Sequence, residues 1–192
     1  MRRIRYAVAA SLDGYIASPN GEYDWIIQDP EIDFRAIFAE FDTLLMGRGT
    51  FEPMSKGGGG GTFGLKVVVV SRTLRQSDYP KVTILGEGWE EKVAALKAEE
   101  GKDIWLFGGG LLFRSCLDAG LVDTVEVAVI PVLLGGGIPL LPSTVQQTRL
   151  KLTGHRIYNN TGIVRLEYAI QPTQPKKAKA PRRPAKKQGS GR

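Results

Sequence analysis

The sequence is built from short apolar segments that alternate with amphipathic helical patterns, and this alternation most constrains its fold. Two further strand patterns, Leu150–Tyr158 and Ile163–Ile170, flank Asn159-Asn-Thr-Gly162, a pairing typical of a β-hairpin. The strands predicted before that hairpin are 4–10, 43–46, 66–70, 82–85, 104–107 and 124–132, with a short extended segment at 15–17 and a glycine- and proline-rich loop at 133–142. This order predicts an α/β fold with a mostly parallel central sheet and an antiparallel C-terminal hairpin.

Three helices are predicted between these strands. The first is expected to begin near Asp29-Pro30, because Asp is a common N-cap and Pro fits the first helical position. The apolar residues that follow at the spacing of one buried helix face are Phe34, Ile37, Phe38 and Phe41. The other two helices are predicted over Glu87–Glu100 and from about Leu111 to Ala119, where Gly120 ends the pattern.

The net charge of +6 is unevenly distributed along the chain. Residues 173–192 contain eight Lys or Arg and no acid, which leaves 18 basic and 20 acidic residues in 1–172. The same segment lacks aromatic and large aliphatic residues, so burial cannot offset its ordering entropy. We therefore expect one domain over 1–172 and a disordered basic tail. The tail either is merely solvated or makes a weak nucleic-acid contact through phosphates.

Several classes of function are disfavoured by composition. One cysteine, Cys116, permits no internal disulfide, and a single histidine, His155, leaves a zinc site or a Cys–His or Ser–His mechanism with too few groups. We expect no metal. The apolar runs are too short to span a bilayer and no signal-peptide pattern is visible, so a cytoplasmic protein without membrane contact is expected. The five glycines 57–61 predict a mobile loop.

Glycines and polar side chains gather where three predicted strands end. They are Met46–Thr50, Ser71-Arg72 after the strand 66–70, and Gly108–Gly110. Glycine allows a ligand to approach the backbone, helix starts present free N–H groups to anions, and arginine grips phosphate with several donors. Each cluster alone is equally well explained as a tight turn, a close helix–strand packing or a solvated strand end. Together at strand ends, where ligands bind in α/β sheets, they predict a dinucleotide site that lacks the Rossmann fingerprint.

Five ordered motifs resemble the dihydrofolate-reductase-like superfamily. They are similar in particular to stand-alone relatives of the C-terminal reductase domain of the bifunctional riboflavin-biosynthesis deaminase/reductase. The resemblance covers Ile4 to about Ile170. The motifs are Ala10-Ser-Leu-Asp-Gly-Tyr-Ile-Ala17, Leu45-Met-Gly-Arg-Gly-Thr-Phe-Glu52, Val70-Ser-Arg-Thr-Leu74, Phe107-Gly-Gly-Gly110 and Leu134-Gly-Gly-Gly-Ile-Pro-Leu140.

This resemblance implies a three-layer fold, NADPH as hydride donor and a homodimer. It implies that cofactor phosphates lie at Gly47, Arg48, Gly49 and Thr50. It places the 2′-phosphate end at Ser71 and Arg72 and the pyrophosphate at Gly108, Gly109 and Gly110. It places the nicotinamide beside the backbone around Ala9, Ala10 and Ile16.

The acid that dihydrofolate reductases place on the helix after the first strand has no clear counterpart. The acids near that helix are Asp29, Glu31, Asp33 and Glu40, and none is marked as inward-facing. Folate reduction is therefore not expected. Asp13 is the best-placed candidate for a catalytic acid, although an Asp before Gly14 is also typical of a turn, and water is the other candidate proton donor. Trp25 is a candidate to stack on a flat substrate, or equally a core or lid aromatic.

We therefore expect an NADPH-dependent oxidoreductase that reduces a small polar or heterocyclic substrate. The resemblance implies a substrate like 5-amino-6-(5-phosphoribosylamino)uracil. A nucleotide-binding protein that has lost catalysis and is tethered to nucleic acid by its tail is the main alternative. A flavin- or other nucleotide-binding domain is a third.

Overall fold

The computed structural model describes residues 1–56, 63–143 and 147–171. The glycine run 57–61 and the tail 173–192 lie outside these ranges. The strands are β1 (Ile4–Ser11), β2 (Tyr15–Ala17), β3 (Phe41–Gly47), β4 (Lys66–Val70), β5 (Thr83–Leu85), β6 (Asp103–Gly108), β7 (Thr124–Ile130), β8 (Ile138–Pro139), β9 (Leu150–Tyr158) and β10 (Ile163–Ile170). The α-helices are α1 (Phe34–Ala39), α2 (Arg48–Lys56), α3 (Trp89–Ala98) and α4 (Gly110–Asp118).

Eight of these strands form one sheet in the order β5-β4-β3-β6-β1-β7-β10-β9. All neighbours from β5 to β7 are parallel, whereas β7–β10 and β10–β9 are antiparallel. The predicted fold class, a mostly parallel sheet with an antiparallel C-terminal hairpin, is confirmed.

Helices cover both faces of the central strands, because successive residues of each strand point to opposite faces. On one face, α3 and α4 pack against Ile4, Tyr6 and Leu45. On the other, α1 and α2 pack against Leu44 and Trp105. We call these the α3/α4 face and the α1/α2 face. The result is three layers, helix on sheet on helix.

The predicted start of the first helix is wrong by about one turn. Helix α1 begins at Phe34, and its N-cap is Asp33, whose carboxylate accepts a hydrogen bond from the Ala36 N–H at 2.9 Å. Asp29 is buried and accepts instead from the Thr161 hydroxyl at 2.8 Å, which holds it in a turn. Phe41, predicted on the helix face, is the first residue of β3.

A buried ion pair joins β1 to β7 on the α1/α2 face. Both side chains are only 7% exposed, and the Arg5 guanidinium donates to both carboxylate oxygens of Glu126 at 2.6 and 2.8 Å. Arg5 also pairs with Glu40, and Arg165 with Glu126 at 3.1 Å. Burial raises the pKa of Glu126, but the hydrogen bonds and charge of Arg5 outweigh this and hold it below its ordinary value. The pair therefore stays ionised at neutral pH.

Removing one partner of this pair should destabilise the fold strongly. We expect Arg5→Met alone to lower the free energy of unfolding by about 3–5 kcal/mol, because the buried Glu126 loses both hydrogen bonds from Arg5 and keeps only its 3.1 Å contact with Arg165. The double variant Arg5→Met, Glu126→Leu should lose less than the single variant, which urea unfolding at neutral pH will measure. Because the folded-state pKa of Glu126 is lowered, its stabilisation is present at neutral pH and lost as the pH falls through that value. A double variant less stable than Arg5→Met would contradict this account.

Residues 131–143, which follow β7, lie across the carboxyl end of β1, and we call them the latch segment. Its strand β8 pairs antiparallel with β2, and the Leu140 N–H donates to the Gly14 carbonyl at 2.9 Å. Gly137 has a φ of +149°, and a Cβ there would overlap the carbonyl oxygen of Ala17. Only glycine allows this close approach of two backbones.

Gly137→Ala should therefore loosen the latch, whereas Gly136→Ala should not. A Cβ on the adjacent residue Gly136 meets no atom within 4 Å, which makes Gly136 a matched control. We expect Gly137→Ala to cost roughly 1–3 kcal/mol of stability through overpacking and strain. The urea unfolding midpoints of the two variants will be compared. Equal midpoints would contradict the close packing of Gly137 against the Ala17 carbonyl.

Candidate functional site

Three predicted ligand-binding clusters meet at one edge of the sheet. Strands β4, β3 and β6 are parallel neighbours, so their carboxyl ends lie side by side. In the register, Gly47 is the partner of Val70, and Met46 is the partner of Gly108. The turns that follow these strands therefore begin at the same level of the sheet.

Two helix N-termini open at this edge. Helix α2 starts at Arg48 directly after β3, and α4 starts at Gly110 after β6. Since α2 packs on the α1/α2 face and α4 on the α3/α4 face, the two starts bracket the ends of neighbouring strands. The first N–H groups of a helix have no partner within it and carry a partial positive charge. This arrangement can bind an elongated anion.

The Gly108 turn is packed closely against α2. Gly108 has a φ of +152° and is joined to Gly109 by a cis peptide bond. A Cβ added at Gly108 would lie 3.2 Å from the Thr50 hydroxyl oxygen, and one at Gly109 would lie 3.4 Å from it. Thr50 therefore sits directly over the glycine turn, so the first and third predicted clusters form one cradle.

The back of this cradle is closed by the latch segment. A Cβ on Gly110 would lie 2.7 Å from the Pro139 carbonyl oxygen and 3.0 Å from the Pro142 ring. Close packing was the alternative explanation for this glycine cluster, and at Gly110 the neighbour is the latch segment.

Two exposed arginines stand at the same edge. Arg48 and Arg72 follow β3 and β4, and within the described residues neither makes an ion pair, unlike Arg2, Arg3 and Arg5. Charged groups that are left solvated and unneutralised attract anionic ligands.

The hydroxyl of Ser71 is used inside its own turn. It is buried and accepts hydrogen bonds from the N–H groups of Thr73 at 3.2 Å and Leu74 at 3.1 Å. The geometry therefore indicates that Ser71 shapes the turn that carries Arg72 outward.

Asp13 ties the loop after β1 to the latch segment. Its carboxylate accepts from the Ser11 hydroxyl at 2.6 Å, from the Leu134 N–H at 3.1 Å and from the Gly135 N–H at 2.7 Å. The Ser11 hydrogen bond, followed by those of the two amides, lowers the pKa of Asp13 below its ordinary value. These contacts match the turn-forming alternative, and a carboxyl group held ionised in this way is a poor proton donor at neutral pH.

The other acids considered for proton donation are all engaged elsewhere. Asp29 bonds Thr161, and Asp33 caps α1. The remaining two are held by arginines, since Glu31 pairs with Arg156 and Glu40 with Arg5. The sequence marked none of the four as inward-facing, whereas in the structure Asp29 is buried and the other three are exposed.

A floor of small residues lies on the α1/α2 face beside the glycine turn. Ala7 and Ala9 of β1 are half-buried there, and Ala9 is the register partner of Ala128 in β7. Ala10 points to the opposite face and is buried in the α3/α4 core, against which Ile16 also packs. We call Ala7, Ala9 and Ala128 the alanine floor.

An aromatic wall stands on the β6 side of this floor and was not predicted. Its members are Phe38, Phe63, Trp105 and Phe107, whose ring centroids are 4.0–6.5 Å apart. Trp105 donates its Nε1–H to the Ala7 carbonyl at 2.8 Å, which fixes the wall to the floor. Phe107 is the last residue of β6 before Gly108, and its place next to the predicted glycine cluster was the only sequence feature that pointed to an aromatic residue at this site.

Trp25 stands on the other side of the floor. It packs against the buried cluster of Ile130, Tyr158 and Ile163, as does Ala9. Its Nε1 is buried, and it has no hydrogen-bond partner among the residues that the structure describes. The predicted substrate residue therefore belongs partly to the core, at the border of the open floor.

The described ranges contain neither a membrane-spanning helix nor a cluster of metal-binding side chains. No helix there has the length and apolar character that a membrane span requires. No group of three His, Cys, Asp or Glu side chains in those ranges is arranged to hold a metal ion.

Comparison with known proteins gives close matches over most of the chain. The uncharacterized protein YyaP of Bacillus subtilis strain 168 is 35% identical over 179 residues, which covers 87% of this chain and 94% of that protein. A candidate riboflavin biosynthesis protein from Shewanella sp. PV-4 superposes with a TM-score of 0.76 at 26% identity. The alignment covers 90% of this chain and all of that one.

A more distant structure shares the fold. Dihydrofolate reductase from Enterococcus faecalis, solved in complex with NADP(H), superposes with a TM-score of 0.65 at 17% identity, covering 88% of this chain and 97% of that enzyme. The fold is therefore dihydrofolate-reductase-like. The RibD C-terminal domain family matches residues 2–164, and the chain belongs to that family.

Proposed function

We propose that this protein is an NADPH-dependent reductase of a small polar or heterocyclic substrate. The observation that carries the proposal is the convergence of one glycine turn, two helix starts and two exposed arginines, which make no ion pair within the described residues, at the edge formed by β4, β3 and β6. The fold shared with the Enterococcus enzyme, which was solved with NADP(H), supports the same cofactor.

The residues at this edge fit a phosphorylated dinucleotide. Thr50 packs closely on the Gly108 turn, so its hydroxyl lies at the same sheet edge as the two helix starts, whose free N–H groups suit an anion. We assign cofactor phosphates to Gly47, Arg48, Gly49 and Thr50, and the pyrophosphate to Gly108, Gly109 and Gly110. We assign the 2′-phosphate to Arg72, with Ser71 positioning it, and the nicotinamide to the backbone around Ala9, Ala10 and Ile16.

The bound cofactor supplies a hydride, while the protein orients the reactants and excludes water. The alanine floor supports the substrate in this proposal, because small side chains leave room for a ring above β1. The aromatic wall and Trp25 border the floor on opposite sides, and aromatic faces favour stacking with flat heterocycles. A pyrimidine such as 5-amino-6-(5-phosphoribosylamino)uracil, or a related heterocycle, fits this description.

A proton must also reach the reduced substrate. The lowered pKa of Asp13 disfavours this residue as the donor at neutral pH. We therefore propose that water delivers the proton and that Asp13 holds the latch segment beside the site, while Asp13 as catalytic acid is the alternative that mutation tests.

Arg72→Ala should weaken NADPH binding about tenfold to a hundredfold and leave NADH binding nearly unchanged. A charge-assisted hydrogen bond contributes about 1.5–3 kcal/mol, and each 1.4 kcal/mol corresponds to a tenfold change in Kd. Isothermal titration of both cofactors will measure the difference.

Arg75→Ala is the matched control, since Arg75 is another exposed arginine three residues further along the same loop. It should bind both cofactors as the wild type does. An equal loss of NADPH affinity in the two variants would mean that the loss of one positive charge, and not a specific contact of Arg72, weakens binding. If the wild-type protein binds neither cofactor, the proposed function is wrong.

Asp13→Asn should retain turnover within a few-fold if water is the proton donor. Loss of a general acid typically costs a factor of about 10²–10⁴ in rate. NADPH oxidation in the presence of substituted pyrimidines and pteridines will report turnover. Asp24→Asn serves as control, because Asp24 is an exposed carboxylate in the next loop. A hundredfold fall in kcat with the fold intact, confined to Asp13→Asn, would make Asp13 the acid.

A further inference from the structure

A cavity of about 280 Å³ lies on the α1/α2 face near the amino ends of β1 and β7, and the proposed function does not use it. Every residue that lines it carries a charge or a hydroxyl group. They are Arg3, Arg5, Glu40, Thr124, Glu126, Thr153, Arg165 and Glu167. We call this space the polar cavity. It is separate from the carboxyl edge of the sheet to which the cofactor phosphates are assigned.

The polar cavity borders the alanine floor along two strand pairs. Glu126 is the register partner of Ala7, and Arg165 is the register partner of Ala128. Register partners on adjacent strands point to the same face of the sheet, and neighbouring strands lie about 4.8 Å apart. A flat ring that rests on the floor therefore lies within the length of the Arg165 side chain.

The two arginines that share Glu126 differ in how many of their donors the protein uses. Arg5 is 7% exposed and donates to carboxylates from Nε, Nη1 and Nη2. Arg165 is 24% exposed and forms both of its ion pairs, with Glu126 and Glu167, through Nη2 alone at 3.1 Å. Within the described ranges, no acceptor lies at hydrogen-bond distance from Arg165 Nε or Nη1.

These two nitrogens of Arg165 are open to a ligand. Across the described part of the chain, the buried side-chain nitrogens without a hydrogen-bond partner are Trp25 Nε1 and Arg114 Nε. Arg165 Nε and Nη1 lack a partner but are not among the buried atoms, so they can be reached from the polar cavity that Arg165 lines. A guanidinium presents its N–H donors in a fixed planar fork, which suits acceptor oxygens.

The positive charge of Arg165 is already balanced within the protein. Three arginines and four carboxylates form the ion pairs in and beside the polar cavity. They are Arg3, Arg5, Arg165, Glu40, Asp103, Glu126 and Glu167. An added anion would meet an excess of carboxylates here, and like charges at close range repel. An uncharged acceptor can use the open N–H groups of Arg165 without adding charge.

We propose that Arg165 binds the substrate and that the substrate carries an uncharged ring carbonyl on the side that faces β10. This inference rests on the proposed function, because it places the substrate on the alanine floor. Glu126 and Glu167 hold the guanidinium in position before the substrate arrives, so little side-chain freedom is lost on binding. A phosphate or carboxylate of the substrate, where one is present, lies on another side of the floor.

The test asks whether the ring carbonyl and Arg165 depend on each other. The full chain, saturated with NADP⁺, is titrated by ligand-observed NMR with uracil and with pyrimidine, which has the same ring without carbonyls. Wild type should bind uracil about tenfold more tightly than pyrimidine, since a hydrogen bond from a charged donor contributes this much. Arg165→Met should lose this preference and bind the two compounds nearly equally.

Arg156→Met is the matched control. Arg156 is the register partner of Arg165 on β9, but it pairs with Glu31 and does not line the polar cavity. This variant should keep the wild-type preference for uracil. Circular dichroism will show that Arg165→Met keeps the fold, as expected because Glu126 retains both hydrogen bonds from Arg5.

Orotate, a uracil with a carboxylate on its ring, distinguishes a carbonyl from an anion as the group that Arg165 recognises. Wild type should bind orotate no more tightly than uracil. Tighter binding of orotate that is lost in Arg165→Met would show that Arg165 selects an anion, and it would overturn the proposal. This comparison begins with the wild type and so does not depend on the folding of a variant.

Two further results would overturn the role of Arg165. One is a wild type that binds NADP⁺ but binds uracil no better than pyrimidine, or binds neither. The other is a folded Arg165→Met variant that keeps the wild-type preference for uracil. NADPH binding to the wild type, measured separately, tests the proposed function itself. A protein that binds NADPH and fails the uracil test keeps the proposed function, whereas a protein that binds neither NADPH nor NADP⁺ shows that function to be wrong.

Discussion

The parallel pairing of β3 with β4 and β6 is the constraint on which the candidate site depends. Parallel neighbours end at the same edge, so the turns after Gly47, Val70 and Gly108 face one region without any long-range contact to bring them there. Each strand is followed by a different device, a helix start, an arginine-bearing turn or a glycine turn. The sheet therefore supplies the proximity, and the local sequence after each strand supplies the chemistry.

Charge is distributed in two contrasting ways across this sheet. At the amino ends of β1 and β7, Arg5 is buried and shared between Glu126 and Glu40, so its charge is neutralised within the protein and serves stability. At the carboxyl ends of β3 and β4, Arg48 and Arg72 remain exposed and, within the described residues, without ion pairs. A cation that the fold leaves unneutralised is available to a ligand. The candidate site for anionic groups is therefore the edge at the carboxyl ends of β3 and β4, and not the charged cluster around Arg5.

Sequence reasoning found the strand ends because glycines and polar residues directly follow apolar runs there. It could not find the partners of Asp13, since Leu134 and Gly135 are more than a hundred residues away in the chain. The start of α1 was misplaced because Asp29 and Asp33 both precede the apolar helical pattern, and the contact of Asp29 with Thr161, 132 residues away, is not visible in the sequence. The aromatic wall was not predicted because its rings come from three separate parts of the chain: helix α1, the segment before β4 and strand β6. The sequence does not show that these rings pack together.

Strand β10 shows how one segment can serve two independent purposes. Its alternation places Arg165 and Glu167 on the α1/α2 face, where Arg165 joins the buried cluster around Glu126. Leu166 and Tyr168 alternate with these charged residues and extend the apolar layer on the α3/α4 face. Because the period of a strand is two, neither set can move without moving the other. The ion pair of Arg165 with Glu126, which stabilises the register of β10 on β7, thereby also determines which apolar side chains the hairpin presents on the opposite side of the sheet.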